Sequence, residues 1–137
     1  MKSSEILDWL TNMTNPTHEL ITEIYNVIHK DGLITVDKSD IEDALINSTD
    51  CSYYKAQGSG ANKGLKAIEN LLSIADMKNV KCLIIIINQN GNLTLAKMYE
   101  IIEFVNKHIS SNVKLIFGDY IEERIWDDIK ITSIIIK

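Results

Sequence analysis

The sequence is short of almost everything that would set it apart from an ordinary globular domain. It has one proline, Pro16, and two cysteines, Cys51 and Cys82, with no C-x-x-C pair. Isolated cysteines in predicted strands read as buried free thiols, which suit a reducing cytoplasm. No apolar run approaches the roughly 20 residues that cross a bilayer, so no transmembrane segment is expected. The N-terminus, M-K-S-S-E-I-L-D-W-L, carries acidic residues where a signal peptide has its apolar run, so no export signal is expected. Basic clusters are missing too. The net charge is −5, from 14 basic and 19 acidic residues, which argues against a nucleic-acid or anionic-membrane surface. Six glycines are present, none adjacent to another, and there is no internal repeat or low-complexity tract. Together these absences point to a cytoplasmic domain.

What is present is organised around residues 81–88, K-C-L-I-I-I-I-N. Five consecutive branched apolar residues, Leu83 to Ile87, leave no polar face. A half-exposed strand alternates, so this one must be covered on both sides. It reads as the central strand of a sheet in an α/β domain. The 137 residues make one domain by length, with 45% hydrophobic and 24% charged residues.

Taken in order, residues 3–14 read as a helix ended by Asn15-Pro16, because proline disfavours helix at the preceding residue. Thr17 then caps a second helix whose stripe is Leu20, Ile21, Ile24, Val27 and Ile28. It stops at Lys30-Asp31-Gly32. Residues 33–36 are extended. A short helix follows over 40–46, with Asp37 or Ser39 as its cap. A strand over 51–57 leads through Gly58-Ser59-Gly60-Ala61 into a helix with a buried face at Leu65, Ile68, Leu72 and Ala75. After the central strand come a turn at 88–92 and a helix over 94–108, with Leu95, Met98, Ile102 and Val105 at spacings of three and four. A strand over 112–117, closed by Gly118, is followed by an acidic stretch over 122–128 and a last strand over 129–136. The two strand–helix–strand units predict parallel neighbours with right-handed crossovers. The short connection predicts that 112–117 and 129–136 pair antiparallel. The expected architecture is an α/β (α+β) sandwich, a mixed four-stranded sheet with helices packed on it. Residues 1–16 form an N-terminal helix and linker, and 17–137 the domain.

Local motifs offer few chemical groups. The 58–64 glycine loop follows a strand and opens a helix, a context that binds phosphate. Its spacing matches neither the dinucleotide fingerprint nor the P-loop, so it reads as a tight turn. His18, His29 and His108 lack ligand spacing. Asp37 and Asp40, three apart at a helix start, can cap and match the helix dipole, or can polarise a water or hold a cation. No Ser/His/Asp or Cys/His arrangement is visible.

Several segments, in order and at nearly matching spacing, resemble the C-terminal half of the bacterial division GTPase family FtsZ, relatives of tubulin. Residues 32–40, G-L-I-T-V-D-K-S-D, resemble the family's G-L-I-N-x-D-F-x-D loop. Residues 60–64, G-A-N-K-G, resemble G-x-D-R-A. The central strand through Gly91-Asn92-Leu93-Thr94-Leu95 resembles v-L-x-x-I-x-G-G-x-D-L-x-L. Ile116-Phe117-Gly118 with Ile121-Glu122-Glu123 resembles I-F-G-x-x-I-D-D, and residues 128–132 resemble D-x-I-R-V-T. The likeness spans about 17–137.

The resemblance implies that Asp37 and Asp40 stand where the family's loop carboxylates complete a neighbour's GTP site and position the attacking water, so they act in trans. Thr35 replaces the family's asparagine and Lys38 its phenylalanine, and both are expected to touch the partner. The family's G-G-G-T-G-T-G phosphate loop has no counterpart in this sequence. The chain alone is therefore expected to bind no cofactor and not to act as an enzyme by itself. GTP enters only through a partner, an FtsZ/tubulin-like protein or a second copy. The family's flexible C-terminal tail is likewise not seen after Lys137. The expected function is an interaction module that docks on or regulates such filaments in cell division. Two alternatives stand beside it: the C-terminal half of a split or degenerate GTPase supplying Asp37 and Asp40, and a small-molecule-binding α/β domain.

Overall fold

A computed structural model describes residues 18–46, 48, 50–58, 63–74, 77–122 and 129–137. Along them run α1 (His18–His29), α2 (Lys38–Ile46), β1 (Cys51–Gly58), α3 (Lys63–Ile74), β2 (Cys82–Gln89), α4 (Leu95–His108), β3 (Lys114–Ile121) and β4 (Ile129–Ile136). The expected helix over 3–14 and its Pro16 break, the Thr17 cap, residues 59–62 of the glycine loop and the 123–128 part of the acidic stretch lie outside the described residues.

The unbroken apolar run behaves as its composition demands. In β2, Cys82, Ile84 and Ile86 enter a core with Leu20, Ile24 and Val27 of α1 and with Ile41 and Leu45 of α2. The intervening Leu83, Ile85 and Ile87 enter a second core with Ala67, Ile68 and Leu71 of α3 and with Met98, Ile101 and Val105 of α4. Each such side chain contributes roughly 1.5–3 kcal/mol on burial, so a strand with two apolar faces is most stable between two helical layers. The product is the expected sandwich, with α1 and α2 on one side of a mixed four-stranded sheet and α3 and α4 on the other.

Strand order differs from the expectation in two respects: β1 and β2 are not neighbours, and β3 and β4 do not pair. The order is β1-β4-β2-β3. β2 and β3 are the parallel neighbours expected of a crossover unit. β4 lies antiparallel between β1 and β2, which keeps β1 and β2 in one direction but apart. It also runs opposite to β3 without pairing with it. The physical reason is burial: every residue of β4 except Lys130 is buried. An edge position would leave one side of that apolar strand unpaired, so it takes an interior slot. Cys82 is buried as expected, whereas Cys51, on the edge strand β1, is only half-buried.

The strand expected to close at Gly118 continues to Ile121. Gly118 is not a terminator but a gap. A Cβ there would overlap Cγ2 of Val36 and sit 3.1 Å from Cγ2 of Val27. The missing side chain lets the segment between α1 and α2 lie directly on β3.

One polar pair fastens α1 to the same strand. The Tyr120 hydroxyl donates to Oε2 of Glu23 at 2.7 Å, and both residues are buried. Lys30 Nζ lies 5.6 Å from the centre of the Tyr120 ring. Burial pushes the Glu23 carboxyl above its usual range, and the Tyr120 hydrogen bond offsets this only in part. Burial also raises the Tyr120 phenol, which therefore stays protonated and remains the donor.

Two outcomes test this packing. Gly118→Ala should cost about 1–3 kcal/mol in urea denaturation, the usual penalty of overpacking. Adding Val36→Ala should cost less than the sum of the two single changes, because it vacates the space the new methyl needs. The second concerns pH. A carboxyl whose folded pKa is raised binds its proton more readily when folded. Its stabilising contribution is complete below the unfolded value near 4.5 and is lost as pH rises through the folded value. Thermal melts of Glu23→Gln should therefore gain on the natural chain as pH is raised from 4 to 8; a constant difference would contradict the assignment.

Candidate functional site

The acidic pair lies where the sequence placed it. Asp37 immediately precedes α2, and its Oδ1 accepts from the Ser39 amide at 3.0 Å and from the Ser39 hydroxyl at 2.9 Å. The Asp40 amide donates to the Asp37 carbonyl at 3.0 Å. Asp37 thus caps the helix, which begins at Lys38, two residues earlier than expected. The hydrogen bonds from Ser39, backbone first and hydroxyl second, hold the Asp37 carboxyl below its usual range. It remains an exposed anion with one oxygen engaged in the cap. Asp40 is exposed in the first turn of α2. Thr35 is also exposed, Lys38 is half-buried, and Leu33 is an apolar side chain left 45% exposed.

The segment that carries these residues is seated on the C-terminal half of β3. Ile121 N donates to the Asp31 carbonyl at 2.8 Å, and Asp119 N to the Ile34 carbonyl at 3.3 Å. The Asp119 side chain answers: Oδ2 accepts from Leu33 N at 3.1 Å and Oδ1 from Ile34 N at 2.7 Å. Gly32 sits so close that a Cβ would meet the Asp119 carbonyl and lie 2.7 Å from its Oδ1. Beside the seat, Gln89 at the end of β2 donates from Nε2 to Asp119 Oδ2 at 2.9 Å. Its Oε1 accepts from Gly91 N at 3.2 Å and Leu93 N at 3.1 Å.

Asp119 and Gln89 were not singled out by sequence reasoning. Asp119 falls on a free position of the I-F-G-x-x-I-D-D pattern. Gln89 and Asn90 stand where the pattern around the central strand has its paired glycines. A large amide at a glycine position, two residues after the apolar run of β2, was the available signal.

The remaining candidates take structural roles. His29 packs against the Tyr25 ring with centroids 4.4 Å apart. His108 Nδ1 lies 2.7 Å from the Phe104 carbonyl. Among the described residues, no group of three or more His, Cys, Asp or Glu side chains is placed to hold a metal ion. No described helix is long and apolar enough to cross a membrane. A hollow lined by His29, Lys30, Asp31 and Ile121 opens to solvent beside the seated segment.

The fold recurs in known proteins. The family model described as FtsZ family, C-terminal domain, matches residues 51–137. An empty FtsZ dimer from M. jannaschii superimposes with a TM-score of 0.76 at 20% identity, covering 98% of this chain and 43% of that one. CetZ2 of Haloferax volcanii, solved as a GTPγS-bound protofilament, gives 0.55 at 10% identity, covering 94% and 43%. CetZ1 from the same organism, a GDP-bound monomer, gives 0.55 at 12%, covering 90% and 41%. At these identities the likeness is one of fold, and the chain spans less than half the length of each of these structures. The family match covers well over half of the 137 residues, so the chain belongs to the FtsZ family and carries its C-terminal domain.

Proposed function

We propose that this domain docks on an FtsZ/tubulin-like filament through the 31–37 segment and the first turn of α2, and presents Asp37 and Asp40 to a nucleotide held by the neighbouring subunit. One observation carries the reading: a segment with exposed carboxylates is held to β3 by four hydrogen bonds, two of them to a buried side chain. A carboxylate can orient an attacking water only if the backbone beneath it is fixed. Family membership supplies the context, and CetZ2, of similar fold, was solved as a protofilament with GTPγS. The 137 residues hold no pair of adjacent glycines, which accords with a nucleotide bound outside them.

In this reading Asp40 faces the nucleotide and orients the water. Asp37, with one oxygen in the cap, fixes the first turn of α2 and keeps its charge at the surface. Thr35 and Lys38 contact the partner, and Leu33 adds an apolar contact to a polar face.

The test adds the purified protein to a polymerising FtsZ-type GTPase from the same cell and follows light scattering and phosphate release. Docking lowers polymer mass, and Leu33→Asp abolishes the effect. A rise in phosphate release that Asp40→Ala removes, by about 10²–10⁴-fold, assigns the domain instead the role of a complementing GTPase half. No change in either signal at stoichiometric excess overturns both readings.

A further inference from the structure

We infer that Gln89 and Asp119 join the 31–37 segment and the 90–93 turn into one mechanical unit, so that a partner pressing on either acts on both. The two stretches lie far apart in sequence, yet four of their main-chain amides converge on two side chains. Leu33 N and Ile34 N reach Asp119, and Gly91 N and Leu93 N reach Gln89. One buried side-chain contact, Gln89 Nε2 to Asp119 Oδ2, connects the two halves beside the backbone ladder that pairs β2 with β3. Gln89 is fully buried and Asp119 is 1% exposed, so water cannot replace a lost partner there. Each group uses its acceptors on one loop's amides and meets the other group across the link. If the link is lost, the Asp119 oxygens lose one of three donors and the Gln89 amide must find another acceptor.

Both groups act as positioning residues and do not touch the nucleotide. That the 31–37 segment belongs to a docking face rests on the function proposed above. The link itself does not, and amide exchange in the isolated protein reports it whether or not any filament responds. Gln89→Met should speed exchange at Gly91 and Leu93 directly. It should also speed exchange at Leu33 and Ile34 across the link, by about tenfold or more, the loss expected for a buried hydrogen bond. The amides of Lys81 and Lys137, bonded to Ile136 and Asp50 at the far end of the sheet, should not change. Acceleration confined to Gly91 and Leu93 overturns the inference.

If Gln89→Met unfolds the chain and all amides exchange together, a reversal of the pair decides. Gln89→Glu alone sets two carboxylates against each other and should loosen both loops. Combining it with Asp119→Asn restores a donor and an acceptor with the direction reversed. The double variant should then recover protection at Ile34, Gly91 and Leu93 but not at Leu33, whose amide faces the new NH₂ group. A double variant no better protected than Gln89→Glu alone overturns the inference.

Discussion

The Asp119 carboxylate is the contact on which the functional end of the molecule depends. Three donors, two from the 31–37 segment and one from the end of β2, converge on its two oxygens, at 2.7 to 3.1 Å, in a place with 1% exposure. A carboxylate buried without donors costs several kcal/mol, and loop amides buried without an acceptor cost about 1–3 kcal/mol each. Strand and loop therefore hold each other in place. The arrangement also protects the sheet. The amides of Asp119 and Ile121 bond to Ile34 and Asp31, so this part of the β3 edge is closed to a foreign strand.

Four successive residues of β3 divide the work. Gly118 admits Val36, and Asp119 anchors Leu33 and Ile34. Tyr120 turns to Glu23 on α1, and Ile121 holds Asp31. The alternation of a strand sends these contacts to opposite faces. Val36 packs against the core shared with α1 and α2, whereas Ile34 packs against the core shared with α3 and α4. The segment before Asp37 thus straddles the sheet edge, gripping one face with each of two side chains. This grip holds Asp37 and Asp40 at the surface without burying them.

Local elements were legible because their causes are local. The apolar run of β2 and the spacing of Met98 and Val105 in α4 require only neighbours along the chain. Strand order was not legible, because a short connection suggested that β3 and β4 pair, while the burial demand of β4 overrode it. The acidic pair could be read from its cap position and from the family pattern. Its anchor could not, since Leu33 and Asp119 stand 86 residues apart and no periodicity links them. Glu23 was half visible. It is three residues from Leu20 and four from Val27, on the apolar stripe of α1, where a carboxylate needs a buried partner.

The interior place of β4 has a consequence for how the sheet is assembled. Every other described strand is synthesised before it, yet it separates β1 from β2 and hydrogen-bonds to both. While a nascent chain grows, β2, α4 and β3 can close as a crossover unit, but β2 and β1 each keep an unpaired edge until β4 arrives. Such edges recruit whatever strand is nearest, including that of a second nascent copy, so the slow, long-range insertion of β4 is the stage at which this domain is most exposed to misassembly.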